Sequence, residues 1–262
     1  DRSHSPEFTM LEFYQAYADY QDMARITREL IQESALAATG SMTVTHADGS
    51  VHDLSGDWPQ VDLYSSLSEA IGEEVTPAIS RERLVALCER DGIEFAPTAV
   101  PGKLAEELFE HHVISTFTGP TFVMDFPVDT SPLVRAHRTK PGVVEKWDLY
   151  IDGAETGTGY SELVDPVVQR DRLIEQAALA DRGDDEAMHL DEDFLRAMEH
   201  GMPPMGGVGV GVDRVLMALT GLGIRETILF PLVKPEARGH ERDQKPEARG
   251  HERDQKPEAR GH

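Results

Sequence analysis

Cysteine is almost absent from this 262-residue chain. Cys88 stands alone, which excludes an intramolecular disulfide and a cysteine-built zinc site and fits a reducing compartment. Basic residues are scarce as well: 25 Lys and Arg face 48 Asp and Glu, a formal charge of -23. Because phosphate backbones are gripped by an excess of cations, a sequence-independent nucleic-acid binder is disfavoured, and any RNA contact must be local. No run of about 18 apolar residues occurs, and no charged-then-apolar leader opens the chain, so nothing in it reads as a membrane span or an export signal. What remains is a soluble globular composition, 39% hydrophobic, enough for the core of one large domain or two small ones.

Both ends are unusual. The chain opens on DRSHSPEFTM without an initiator methionine and enters a strand-like run at once, so the expectation is a start inside a domain. From Lys234 the unit KPEARGHERDQ occurs twice in full and stops seven residues into a third copy. Its 11-residue period has no apolar stripe to bury, so residues 234–262 read as a solvated, disordered tail rather than a helical arm.

Periodicity orders the rest. Residues 6–18 alternate as a strand, with Phe8, Met10, Glu12 and Tyr14 on one face and Thr9, Leu11 and Phe13 on the other. Met23, Ile26, Leu30, Ile31 and Ala35 recur at helical steps, and Gly40 is placed to end that helix. MTVTHADGSVHDLS reads as a hairpin around Asp48 and Gly49. Residues 62–112 read as a small helical insertion broken near Pro77, Pro97 and Pro101. TFVMDF and KWDLYI return to strand, Asp165 and Pro166 start a helix that Gly183 closes, GVGVGV is a strand and DRVLMALTG a helix. Strands separated by helices of uneven length predict an α+β fold with a largely antiparallel sheet flanked by helices.

The residues that carry chemistry lie in three stretches. GGVGVGVDR misses the spacing of a dinucleotide-binding G-x-G-x-x-G, so that fold is rejected. A two-residue period instead gives Gly207, Gly209 and Gly211 one bare face while Val208, Val210 and Val212 pack on the other. That bareness suits either a flat ligand or close backbone packing. Arg214, in the first turn of the following helix, opposes the helix dipole unless an anion such as phosphate joins it there.

WDLYIDGAETG predicts a tight hairpin with Asp152 and Gly153 at the turn, Tyr150 facing Glu155 and Asp148 facing Gly157. Asp148 and Glu155 are then diagonal neighbours, able to share a divalent cation or simply to be solvated. Thr158, Tyr160 and Glu162 share a face of opposite parity, which a bulge at Gly157 or Gly159 would reconcile. Glu162 near Tyr160, and Glu12 near Tyr14, are two buried acids that need either an internal salt bridge or a ligand ammonium group.

Taken together, these strings resemble one family. HSPEFTMLEFYQAYADY resembles the second half of motif 2 of a class II aminoacyl-tRNA synthetase, GTGYSEL resembles the amino-acid-binding strand of lysyl-tRNA synthetases, and GVGVGVDRVLMAL resembles motif 3. The resemblance covers residues 1–233. GYSEL and LVDPVVQR are also similar to the synthetase domain of actinobacterial proteins fused to a lysyl-phosphatidylglycerol synthase. It implies a cytoplasmic lysine-tRNA ligase that uses ATP and magnesium, making lysyl-adenylate and then charging the tRNA 3′ end.

Carried across, Glu12, Tyr14, Thr158, Tyr160 and Glu162 would bind lysine. His4, Phe8, Glu155, Gly209, Gly211 and Arg214 would form the ATP site, with Phe8 stacking on adenine. Asp148 and Glu155 would hold Mg2+, and Arg214 would be the catalytic cation on the γ-phosphate. Thr158, Val164 and Asp148 depart from the residues common in the family, two asparagines and a glutamate. The resemblance also implies that an anticodon-binding barrel, a dimer-forming motif 1 and an arginine-bearing strand precede Asp1. A fragment without that arginine is expected to be impaired, and the alternative is a repurposed module that binds lysine and nucleotide, or a partner chain, without charging tRNA.

Overall fold

The computed structural model describes residues 5–180 and 190–231. His4, Gly183 and the repetitive stretch 234–262 lie outside those residues.

The predicted first strand is shorter than its pattern. β1 spans Met10–Ala16 and stops where Tyr17 adopts a φ of 61°, incompatible with extended backbone. Helix α1, Tyr20–Thr39, follows. Asp19 caps it, accepting from the Gln21 and Asp22 amides while the Asp22 side chain accepts from Asp19 N–H, and Gly40 ends it at a φ of 77°. The small hairpin forms as read, with β2 at Thr43–Thr45 and β3 at Val51–Asp53. β4, Gln60–Asp62, leads into helices α2 (Leu63–Ile71), α3 (Arg81–Asp91) and α4 (Pro101–His112). The helices break around Pro77 and Pro97 as read, and α4 opens on Pro101. At that first position a missing N–H costs nothing.

β5 (Thr121–Met124), β6 (Lys146–Ile151) and β7 (Ala154–Ser161) build the middle of the sheet. Helix α5, Pro166–Ala180, begins where Asp165 Oδ1 accepts the amides of Val167 and Val168, and α6 is Glu192–Glu199. β8, Met205–Gly211, runs directly into α7, Val212–Thr220, and α8 is Ile224–Thr227. Val212 therefore does not extend the valine alternation: Val208 and Val210 are buried, but Val212 opens the helix.

Among the described residues the main sheet has the order β1-β8-β7-β6-β5-β4. Every pair is antiparallel except β4 with β5, which is parallel. One sheet face buries Trp147, Leu149, Ile151, Val208 and Val210 against Met23, Ile31 and Ala35 of α1 and Ala218 of α7. Each valine, leucine, isoleucine and methionine among them contributes about 1.5–3 kcal/mol by leaving water. Gly159 makes that packing feasible, because a Cβ there would stand 2.3 Å from Trp147 Cζ2. The indole N–H, in turn, donates to Tyr20 O at 2.7 Å and ties α1 to β6.

On the opposite face, α2, α3 and α4 pack Leu63, Leu84, Leu104, Leu108 and Phe109 against Val123, Phe126 and Tyr150. Cys88 is buried there, as its apolar setting predicts. These helices wall one side of the face on which the functional residues stand.

The β6–β7 register corrects one expectation. Asp152 and Gly153 both take positive φ, 52° and 74°, as a two-residue hairpin turn demands. Ile151 faces Ala154 and Tyr150 faces Glu155, but Leu149 then faces Gly157 and Asp148 faces Thr158, not Gly157. The register shifts by one at Thr156, just before the glycines considered as bulge hosts. That extra residue puts Glu155, Thr158 and Tyr160 on the same side as Asp148 and removes the conflict of parity.

Candidate ligand-binding face

Register alone assembles the site. Met10, Glu12 and Tyr14 of β1 stand opposite Gly211, Gly209 and Gly207 of β8, which in turn place Gly209 and Gly207 opposite Thr158 and Tyr160 of β7. Across the next ladder, Thr158 and Tyr160 face Asp148 and Lys146 of β6. Directly paired residues project to the same side, so acids and aromatics rise from a floor of bare glycines.

At one end of that floor sits the acid pair. A Cβ on Gly207 would lie 2.1 Å from Glu162 Oε1 and 2.6 Å from Tyr14 Cε1, so both side chains rest directly on the glycine. The Tyr14 hydroxyl donates to Glu12 Oε1, which raises the phenol's pKa, and the charge of Glu162 raises it further. Burial, reinforced by the charge of Glu12, pushes Glu162 up to about 7. Among the described residues neither acid has a basic partner within salt-bridge distance, which disfavours the internal salt bridge. Glu12 is exposed rather than buried, because β1 is the edge strand of the described sheet and its outer side is open. Glu162 alone carries the burial penalty.

Beside the acid pair lies a cleft of about 270 Å³. Phe8, Glu155, Thr158, Gly209, Gly211 and Arg214 line it, so the residues expected for the nucleotide, His4 excepted, converge on one cavity. Arg214 is in the first turn of α7, and its guanidinium donates to Glu155 O, bridging helix and strand at the cleft wall. Phe8 presents an exposed ring, 62% accessible. Its neighbour Thr9 is fixed: Asp213, buried beside Arg214, accepts Thr9 N–H at 2.8 Å and the Thr227 hydroxyl at 3.3 Å, joining the entry to β1, α7 and α8.

A third group of residues is anionic and partly dry. Asp148 is buried, and its Oδ2 pairs with Lys146 Nζ at 3.0 Å while Oδ1 has no hydrogen-bond partner among the described residues. Lys146 also lies 4.0 Å from the centre of the Phe126 ring, and the acids around it keep its pKa raised despite burial. Although Glu155 has accessible surface, surrounding protein and the charge of Asp148 raise its pKa. Glu106 and Glu110 of α4 add further negative charge, each itself raised mainly by desolvation. An orphaned carboxylate oxygen beside a second carboxyl fits a hard divalent cation shared with phosphate oxygens.

Lys146, Asp213, Glu106 and Glu110 escaped the sequence reading. Lys146 was accessible to it, since it sits two residues before Asp148 in KWDLYI and therefore shares its face. The spacing of Glu106 and Glu110 puts them on one side of α4, but nothing in the sequence says that this side meets β6 and β7.

Residues 1–234 match the family model of the tRNA synthetases class II (D, K and N). A lysine–tRNA ligase of Kineococcus radiotolerans is 62% identical over 236 residues, which cover 90% of this chain and 47% of that protein. One from Mycolicibacterium gilvum is 57% identical over 236 residues, 89% of this chain and 47% of the relative. The lysylphosphatidylglycerol biosynthesis bifunctional protein LysX of Nocardia farcinica is 53% identical over 239 residues, 90% of this chain and 21% of the relative. The chain spans about half the length of the curated ligases it matches. With the α+β architecture, the glycine-floored sheet face and a match along residues 1–234, the chain belongs to the class II tRNA synthetases of the D, K and N group.

Proposed function

We propose that this chain is the lysine- and ATP-binding part of a lysine-tRNA ligase. The observation that carries the proposal is that Glu12 and Glu162 have no basic partner among the described residues, with Glu162 resting on Gly207 and Glu12 opposite Gly209, beside a cleft that ends at Arg214. An ammonium group between the two acids relieves both the repulsion and the burial penalty of Glu162, whereas a neutral side chain leaves them uncompensated. Tyr14 holds Glu12 by its hydroxyl, and Thr158 and Tyr160 form the adjacent floor and wall.

The nucleotide fits the neighbouring cleft. Phe8 offers its ring to adenine, Gly209 and Gly211 let the phosphates approach the backbone, and Arg214 supplies positive charge at a helix start. Asp148 and Glu155 are the residues to hold Mg2+, which when bound neutralises phosphate charge. In the proposed first step the lysine carboxylate attacks the α-phosphate and pyrophosphate leaves. In the second, the lysyl group passes to the 3′-terminal ribose of tRNA. The residues act by positioning and charge stabilisation, with no protein nucleophile.

The division into a catalytic region at 1–233 with a helical insertion at 62–112, the assignment of tRNA(Lys) and a homodimer, and a cytoplasmic location belong to this proposal. No helix among the described residues is long and apolar enough to cross a membrane. The curated relatives named as ligases favour charging of tRNA over a module that only binds lysine and nucleotide. Calorimetry with lysine and with a non-hydrolysable ATP analogue tests the reading. Glu162→Gln is expected to abolish lysine binding and spare the nucleotide, and Phe8→Ala to do the reverse. Unchanged lysine affinity in Glu162→Gln contradicts it.

A further inference from the structure

Away from the acid pair, three ligand-type residues from two hairpins converge. His46 directly follows β2 in the β2–β3 hairpin, His52 lies in β3, and Asp152 occupies the β6–β7 turn. One ligand atom of each lies within 4.8 Å of the other two, and His52 Nδ1 is 2.8 Å from Asp152 Oδ1. The two imidazoles stack with centroids 4.1 Å apart. Neither the acid pair nor the cleft uses any of these residues.

The hydrogen bonds behind the rings decide what they can accept in front. His46 Nε2 is 2.9 Å from Ala218 O, in the last turn of α7. A carbonyl only accepts, so Nε2 carries the hydrogen and neutral His46 has its lone pair on Nδ1. His52 Nε2 is 3.0 Å from Ser50 Oγ, and that hydroxyl gives its own hydrogen to Asp48 Oδ1 at 2.7 Å. Ser50 Oγ therefore accepts from His52 Nε2–H, which leaves the His52 lone pair on Nδ1, facing the Asp152 carboxylate. Both neutral imidazoles thus keep a lone pair on Nδ1, and with the Asp152 carboxylate they form three ligand residues whose donor atoms lie within 4.8 Å of one another; because the rings stack at 27°, one of them must turn for both to meet a single cation.

From this geometry we infer that His46, His52 and Asp152 form a site for a divalent transition ion of imidazole preference, zinc foremost, with the fourth position left to water. Donation of the far ring N–H to a carbonyl and to a hydroxyl–carboxylate relay is the support that metal-bound histidines commonly have. Zn–ligand bonds of about 2.1 Å put ligand atoms about 3.4 Å apart in a tetrahedron. The 2.8 Å and 4.8 Å limits bracket that separation, so side-chain rotation closes the site. The ion would clip the β2–β3 hairpin, the β6–β7 turn and the end of α7 together.

The test is titration of the full chain with CoCl2, read by the visible bands of four-coordinate cobalt, followed by displacement with ZnCl2. One equivalent is expected to bind. Asp152→Asn keeps the turn, since asparagine tolerates a φ of 52°, and is expected to weaken cobalt at least tenfold. His52→Gln is expected to remove the bands, whereas replacing His240, His251 and His262 by asparagine is expected to leave them intact. Circular dichroism of each variant separates loss of the ligand from loss of the fold, and Asp152→Asn alone suffices if His52→Gln unfolds. Absence of cobalt bands in the wild type, or bands undiminished in Asp152→Asn, overturns the inference.

Discussion

Replacing Glu162 by glutamine should stabilise the ligand-free protein, although the residue is proposed to be essential for binding. Its carboxyl, ordinarily near 4.5, is held at about 7, because the folded protein resists the charged form. The sign follows from linkage. A carboxyl whose pKa is raised on folding costs nothing below the unfolded value, costs more as pH climbs from about 4.5, and reaches its full penalty above about 7. That full penalty is about 3 kcal/mol at 1.36 kcal/mol per pKa unit, and solvent at the partly open carboxylate reduces it to about 2 kcal/mol. Glutamine has the same shape and no charge, and no hydrogen bond of the Glu162 side chain is lost among the described residues. Urea unfolding of both proteins at about pH 5 and about pH 8 measures the effect. The variant should be about 2 kcal/mol more stable at the higher pH, with the gap shrinking by about 1.5 kcal/mol at the lower. A gap that does not change with pH, or a variant less stable at pH 8, refutes the claim that Glu162 is an uncompensated charge.

Other outcomes follow from the same contacts. Lysine binding requires ionised Glu162 while the ligand ammonium stays charged, so affinity should rise about tenfold from about pH 6 to pH 8 and then level, as calorimetry in matched buffers would reveal. Gly207→Ala places a methyl 2.1 Å from Glu162 Oε1, and the resulting displacement should cost about 1–3 kcal/mol in urea unfolding and remove lysine binding while nucleotide binding persists. Lys146→Met strands Asp148 without its cation, and about 3 kcal/mol of stability should be lost at neutral pH, with Lys146→Arg recovering part of it. Asp213→Ala unties Thr9 from α7, for which a loss of about 1–3 kcal/mol and weaker ATP-analogue binding are expected.

Local patterns were legible where a residue's neighbours in the chain decide its setting. The stripe of Met23, Ile31 and Ala35, the Gly40 stop and the Asp152–Gly153 turn all follow from short-range rules, and each formed. The bare face of Gly207, Gly209 and Gly211 was legible for the same reason, since alternation assigns faces without knowledge of the partner strands. What was not legible is set by tertiary pairing. The bulge fell at Thr156 because the register of β7 is shared with both β6 and β8, a constraint no hairpin pattern contains. The exposure of Glu12 depends on β1 standing at the sheet edge, and the charge around Asp148 depends on α4 bringing Glu106 and Glu110 over β6 and β7. Such facts need the order of strands and helices in space. The strings that resemble synthetase motifs reached further, because a whole motif carries the tertiary setting of its residues with it.

The most direct measurement compares lysine with norleucine, which keeps the aliphatic chain and lacks the ammonium group, by calorimetry on the wild-type chain at pH 8. If Glu12 and Glu162 are a cation's two counter-charges, lysine should bind and norleucine should be weaker by at least a hundredfold, on the order of 3 kcal/mol. Equal affinities, or binding of neither ligand by the folded chain, would contradict it.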